Sequence, residues 1–74
     1  MDFKDQVINE FVRRIKSGQN IGTARSFKAS DFPNATQEDI SDFCSEGNAT
    51  LYYYTGFSLN PAYAKSILEE YGLL

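Results

Sequence analysis

Residues 50–57, TLYYYTGF, decide the fold class of this 74-residue chain, because they suit either a strand or a helix. The aromatic run that follows Thr50 has the composition typical of strands. Asn48 or Thr50 can instead cap a short helix that Gly56 ends. We favour the helix, and a short strand or hairpin in 50–57 stays open as the alternative.

Two helical patterns precede this stretch. Apolar side chains recur at helical spacing through residues 3–15, which predicts a helix over about 3–17. Thr36 and Asp39 have the spacing of a capping box, with Asp in place of the usual Glu, and apolar side chains at helical spacing follow. This pattern predicts a second helix over about 37–45.

The remaining segments complete a mainly helical outline. Glycine, serine and a turn cluster break the periodicity of residues 18–34, so we expect a loop there with at most a short helix or strand. Asn60 and Pro61 are a strong helix start, and the last helix should end near Gly72. We expect the core to include Phe3, Val7, Phe11, Ile15, Ile40, Phe43, Leu51, Ile67 and Leu68.

Composition excludes several classes of protein. The chain has no histidine and a single cysteine, Cys44, so it can form neither an internal disulfide nor a Cys/His zinc site. Cys44 lies on the apolar face of the second predicted helix, where we expect it to be buried and unreactive. The acids lack the spacing of a calcium loop and the glycines form no phosphate-binding motif. We therefore expect no enzyme, no catalytic residue, no metal and no cofactor.

The ends and the length of the chain favour one small cytoplasmic domain. With 42% hydrophobic residues and eleven aromatic side chains, residues 1–74 can fold as a single domain. No apolar run approaches the roughly 18 residues that cross a bilayer, and the N-terminus lacks the pattern of a signal peptide. We expect no membrane contact.

Charge is distributed unevenly along the sequence. The net charge is −3, yet residues 11–30 contain no acid. A local basic segment of this kind can contact phosphates even in an acidic domain. Residues 31–74 carry seven acids against one lysine. The candidate phosphate contacts are the five basic residues of the basic segment: Arg13, Arg14, Lys16, Arg25 and Lys28.

Residues 36–54 carry a resemblance to a known family. Residues 39–41, DIS, followed after a turn by residues 49–54, ATLYYY, resemble the helix-turn-helix of TetR-type transcriptional regulators. The resemblance implies that the second helix lies in the major groove of DNA and that its early residues meet phosphates and base edges. By position these residues are Asn48, Thr50, Tyr52 and Tyr53. The chain is too short for a ligand-binding domain like that of the family.

Together these patterns predict a mainly α fold, a small single-domain bundle of three to four helices with a helix-turn-helix-like arrangement. Two functions remain open. The first is a DNA-binding or transcription-associated module. The second is an acidic protein-interaction module, such as an inhibitor or accessory factor of a phage or bacterium, which binds a protein partner or a second copy of itself and no DNA. The predicted reader helix contains no Arg or Lys, which favours the second, whereas the unbroken basic segment favours the first.

Overall fold

The structure of the chain, a computed structural model, describes residues 2–53 and 55–74. Four helices and three strands are mixed along the sequence. The helices are α1 (Phe3–Lys16), α2 (Ile21–Ala24), α3 (Gln37–Ser45) and α4 (Pro61–Glu70). The strands are β1 (Ser26–Lys28), β2 (Ala49–Tyr52) and β3 (Gly56–Leu59), and a 3₁₀ turn covers Ala29–Asp31.

The prediction of a mainly helical bundle with a helix-turn-helix-like arrangement is wrong, because β2 and β3 form an antiparallel hairpin where we favoured a helix. Ala49 pairs with Leu59, and the register continues to Tyr52 opposite Gly56. β1 pairs with the other side of β3, which gives the sheet order β1-β3-β2 and an α+β fold. Tyr54, the last residue of the family-like motif, lies outside the described residues.

The hairpin forms because its apolar side chains complete the core. Phe57 is fully buried, and its ring lies 5.3–6.1 Å from the rings of four other phenylalanines. Those rings come from α1, β1, the segment before α3, and α3 itself, and they belong to Phe3, Phe27, Phe32 and Phe43. A helix over 50–57 would turn successive side chains away from this cluster, whereas a strand places Leu51, Phe57 and Leu59 on one face of the sheet.

The predictions of the three longer helices, α1, α3 and α4, are confirmed. α1 and α3 match the predicted spans of 3–17 and 37–45 to within one residue. Thr36 and Asp39 form both hydrogen bonds of the capping box, since each side chain accepts the backbone N–H of the other residue, at 3.0 and 2.9 Å. Pro61 is the first residue of α4. Six of the nine predicted core residues are buried, and Phe3, Ile15 and Leu51 pack against the core while partly exposed.

β1 and β3 approach each other unusually closely at Gly56. A Cβ atom at this position would overlap the carbonyl oxygen of Phe27, so only glycine fits without a shift of the backbone. Tyr52 lies opposite Gly56 on β2 and its hydroxyl reaches Ser58, two residues along β3. Its side chain thus supplies packing that the glycine lacks.

Candidate functional site

The four residues predicted to read DNA lie along the hairpin and not on a helix. Asn48 precedes β2, Thr50 and Tyr52 lie within it, and Tyr53 follows it. Three of the four side chains are hydrogen-bonded inside the domain and thereby help to hold the hairpin. These bonds run from Asn48 Nδ2 to Glu46 Oε1 (3.1 Å), from Thr50 Oγ1 to Asn60 Oδ1 (3.2 Å) and from the Tyr52 hydroxyl to Ser58 Oγ (2.7 Å).

Tyr53 is the predicted reader residue that most clearly faces solvent. It follows the last residue of β2, and its side chain is 93% exposed. Its φ of 46° lies in the left-handed region, which few residues other than glycine adopt. The ring of Tyr53 is therefore accessible, on a backbone that the surrounding structure holds in an uncommon conformation.

Arg14, one of the candidate phosphate contacts, is used inside the fold. Only 13% of its side chain is exposed, and its guanidinium lies 4.4 Å from the centre of the Phe27 ring, a cation–π contact. The guanidinium donates hydrogen bonds to four acceptors: the carboxylates of Glu10 (2.9 Å) and Asp31 (3.0 Å), and the carbonyl oxygens of Ala24 (3.3 Å) and Ser26 (2.7 Å). This side chain joins α1 to β1 and has little capacity left for a phosphate.

Arg25 and Arg13 are also engaged. Arg25 Nη1 donates to the carbonyl oxygen of Leu59 at 2.7 Å and thereby ties the start of β1 to the end of β3. Arg13 is exposed and makes a two-pronged ion pair with Glu10, at 2.9 and 2.6 Å. This hydrogen-bonded pair lowers the pKa of the Glu10 carboxyl and raises that of Arg13.

Lys16 and Lys28 are the two candidate phosphate contacts that remain. Both residues are exposed, and no ion pair within residues 2–53 and 55–74 involves either of them. Lys16 ends α1 and Lys28 ends β1. The basic segment of the sequence therefore presents much less free positive charge than its five residues suggest.

A cleft of about 250 Å³ lies between the N-terminus of α1 and the outer side of α3. Its rim carries four carboxylates and one ammonium group: Asp2, Asp39, Asp42 and Glu46, with Lys4. Phe3 and Phe43, whose rings meet edge to face at 5.6 Å, supply its apolar lining. All four acids are exposed, so the cleft combines a negative rim with an apolar base.

Three of the four carboxylates hold the cleft in shape. Asp2 caps α1 by accepting the N–H of Asp5 at 2.8 Å, and Asp39 caps α3. Glu46 accepts a hydrogen bond from Asn48. Each carboxylate has about four acceptor positions, so one bond leaves room for a ligand. These anchors position the negative charges at little further entropic cost.

Cys44 and Tyr63 are the other titratable groups whose surroundings alter them. Cys44 is half-buried against the core, and burial raises the pKa of its thiol, which disfavours the reactive thiolate. Burial, with Glu46 and Glu70 nearby, raises the pKa of Tyr63. The Tyr63 hydroxyl is buried and has no hydrogen-bond partner among the described residues.

Two further classes of site are not found in the part of the chain that the structure describes. Within residues 2–53 and 55–74, no group of three or more His, Cys, Asp or Glu side chains could hold a metal ion. None of the helices over these residues is both long and apolar enough to cross a membrane.

Sequence reasoning did not predict this cleft. The acids of α3 are visible in the sequence as a stripe on one face of a helix, where the ordinary interpretation is solvation. Asp2 and Lys4 join them only because α1 packs against α3, and no local pattern signals that contact. The hydrogen bonds of Arg14 within the fold are equally impossible to predict from the sequence. Two of its acceptors are backbone carbonyl groups, and every residue has such a group.

Comparisons with protein-family models, with curated proteins and with solved structures find no match to this chain.

Proposed function

We propose that this domain is a protein-interaction module that binds a basic segment of a partner protein in the acidic cleft between α1 and α3. The observation that carries the proposal is the cleft itself, in which four carboxylates surround an apolar lining. A lysine or arginine side chain fits such a site well, because its stem can cover Phe3 while its charged end meets the rim. The proposal assigns no catalytic role to any residue.

The size and openness of the cleft favour a side chain of a larger partner over a free small molecule. Its volume of about 250 Å³ is below the roughly 300–1,000 Å³ typical of ligand pockets. A rim of like charges also attracts a basic partner from a distance and raises the rate of association. A cytoplasmic location and a bacterial or phage source would suit such a module and remain predictions.

The test is a calorimetric titration with an acetylated and amidated peptide of alternating Lys and Thr residues, against the same peptide with Gln in place of Lys. We expect only the lysine peptide to bind, with an affinity that falls as salt rises. Asp42→Asn and Glu46→Gln should each weaken binding about two- to fivefold, the usual contribution of an exposed ion pair. Glu69→Gln, an exposed acid of α4 outside the cleft, is the matched control.

A module that binds DNA is the second candidate, and it stays a prediction. Exposed Lys16 and Lys28, with the free ring of Tyr53, are the features that favour it. If those two lysines neutralise phosphates, affinity for mixed DNA should fall with a log–log salt slope near −2, at about 0.9 per phosphate. Binding to DNA with a slope near −2, and none to the lysine peptide, would replace the first proposal by this one.

A further inference from the structure

The two edge strands of the sheet, β1 and β2, differ in the hydrogen bonding of their outward backbone groups. On β1, the backbone of Ser26 and Lys28 points away from β3, since Arg25 and Ala29 face it. The carbonyl of Ser26 accepts from Arg14, and the N–H of Lys28 donates to Asp31 Oδ2 at 2.9 Å. Arg14 and Asp31 are themselves paired at 3.0 Å. An ion pair thus occupies the position that another strand would take.

β2 forms the opposite edge, and no ion pair among residues 2–53 and 55–74 occupies it. Asn60 donates its N–H to the carbonyl of Asn48, so the even-numbered residues of β2 turn their backbone groups toward β3. Alternation then turns the N–H and C=O groups of Ala49 and Leu51 outward. Ala49 is itself buried, so the backbone groups of Leu51 are the accessible ones. No hydrogen bond formed within the described ranges, 2–53 and 55–74, uses these groups. The stretch from Gly47 to Tyr53 also contains none of the lysines, prolines or bulges that prevent pairing at exposed edges.

We infer that the open edge of β2 accepts an extended segment of the basic partner as a fourth strand. This inference rests on the proposed function. The edge is continuous with the acidic cleft, because Glu46 on the cleft rim is hydrogen-bonded to Asn48, which directly precedes β2. A chain that pairs with Leu51 and continues past Asn48 therefore runs toward Glu46. A lysine or arginine is the complement at that point.

Charge and size favour a peptide segment over a second copy of this chain. Two domains of net charge −3 repel each other, and four residues of strand bury far less than the roughly 800 Å² per partner of stable complexes. The side chains of β2 also specify the segment. Leu51 lies on the core face and is half-exposed, while Thr50 and Tyr52 lie on the outer face. The fitting segment alternates apolar and polar residues and ends in a basic one.

Amide hydrogen exchange by NMR tests this pairing directly. The probe is an acetylated and amidated peptide of alternating Val and Thr residues with a Lys at each end. In the free domain, the amide of Leu51 should exchange quickly and that of Thr50, which faces Ser58, slowly. At a peptide concentration ten times its Kd, exchange at Leu51 should slow about elevenfold, because the amide is open only in the unbound fraction.

The outcomes separate the edge from the cleft. Binding without protection of Leu51 would overturn the edge pairing and leave the cleft proposal standing. Equal protection by a peptide with Gln in place of Lys would support the edge and overturn the cleft. No binding of either peptide would overturn both. Protection that rises with protein concentration alone would identify a second copy as the occupant and overturn the peptide assignment.

A pair of variants gives an independent readout. Leu51→Pro removes the outward N–H without breaking a bond to β3, whereas Leu51→Val makes a similar loss of side chain and keeps the N–H. Edge pairing predicts at least about fivefold weaker peptide binding for the proline variant than for the valine variant, the equivalent of one hydrogen bond of about 1 kcal/mol. Equal affinities in two folded variants would contradict it. If the proline variant does not fold, the exchange experiment on the unmodified chain decides.

Discussion

The basic segment and the acidic cleft use their charges in opposite ways. Arg14 and Arg25 of the basic segment point into the domain and bind backbone carbonyl groups. The acids of the cleft remain exposed on its rim. The comparison teaches that charge counted along a sequence is a poor guide to charge offered to a partner, because arginine can satisfy several buried acceptors at once and a carboxylate cannot donate to any of them.

The largest expected loss of stability comes from replacing Arg14. Arg14→Met keeps the apolar stem but leaves Glu10, Asp31 and two carbonyl oxygens without their donor, which should cost about 3 kcal/mol of the free energy of unfolding. Urea denaturation measures this. The neighbouring Arg13→Met, which loses only an exposed ion pair with Glu10, should lower the midpoint much less. Equal losses in the two variants would break the contrast between inward and outward charges.

Arg25→Met should have a smaller effect of the same kind. Its charged group makes one hydrogen bond, to the carbonyl of Leu59, so the expected loss is about 1.5 kcal/mol. Lys28→Met, at an exposed end of β1, is the control and should remain within about 0.5 kcal/mol of the unmodified domain. A loss at Lys28 as large as that at Arg25 would show that the sheet depends on positive charge in general.

The dependence of stability on pH tests the ion pairs of Glu10. Hydrogen bonds from Arg13, followed by those from Arg14, hold the pKa of the Glu10 carboxyl below its ordinary value of 4.5. A depressed pKa in the folded state adds stability that is complete above the unfolded value and disappears as the pH falls through the folded value. Glu10→Gln should therefore lower the free energy of unfolding at pH 7, with a deficit that shrinks below about pH 4.5. A deficit that is constant from pH 7 to pH 3 would contradict the ion-pair assignment.

The smallest effect on stability is expected in the cleft. Asp42 makes no hydrogen bond through its side chain with any described residue, so Asp42→Asn should change the free energy of unfolding by less than about 0.5 kcal/mol. The same variant should weaken binding of the lysine peptide. A marked gain in stability would also be informative. It would show that repulsion among the rim acids lowers the free energy of unfolding and that a bound basic side chain relieves this repulsion.

Local patterns predicted the helices and missed the sheet for a physical reason. The capping box at Thr36 and the proline that begins α4 act within one turn of chain, so they are readable in sequence. β3 is buried between two strands, and one of them, β1, lies some thirty residues away in a segment that resembles a loop. The choice between helix and strand for TLYYYTGF therefore depended on a partner that no local window contains.

The site was only partly predictable for a related reason. The exposure of Lys16 and the acids of α3 follows from helical periodicity, because each lies opposite an apolar face. The internal role of Arg14 depends on the path of β1, which places the carbonyl of Ser26 beside α1. The sequence was sufficient to predict the exposure of a side chain where the periodicity of one helix determines it. It was insufficient where the hydrogen-bond partner of a side chain is a backbone group of another element.

The close approach of the strands at Gly56 has a consequence for the ancestry of this domain. Most surface positions of the chain can drift freely over generations, but a side chain at position 56 would collide with the backbone of Phe27 and separate β1 from β3. Any descendant that keeps this sheet should therefore keep a glycine here, with an aromatic residue four positions before it, as Tyr52 is, and one directly after it, as Phe57 is. The glycine is therefore the position at which a comparison of relatives would test this account of the sheet first.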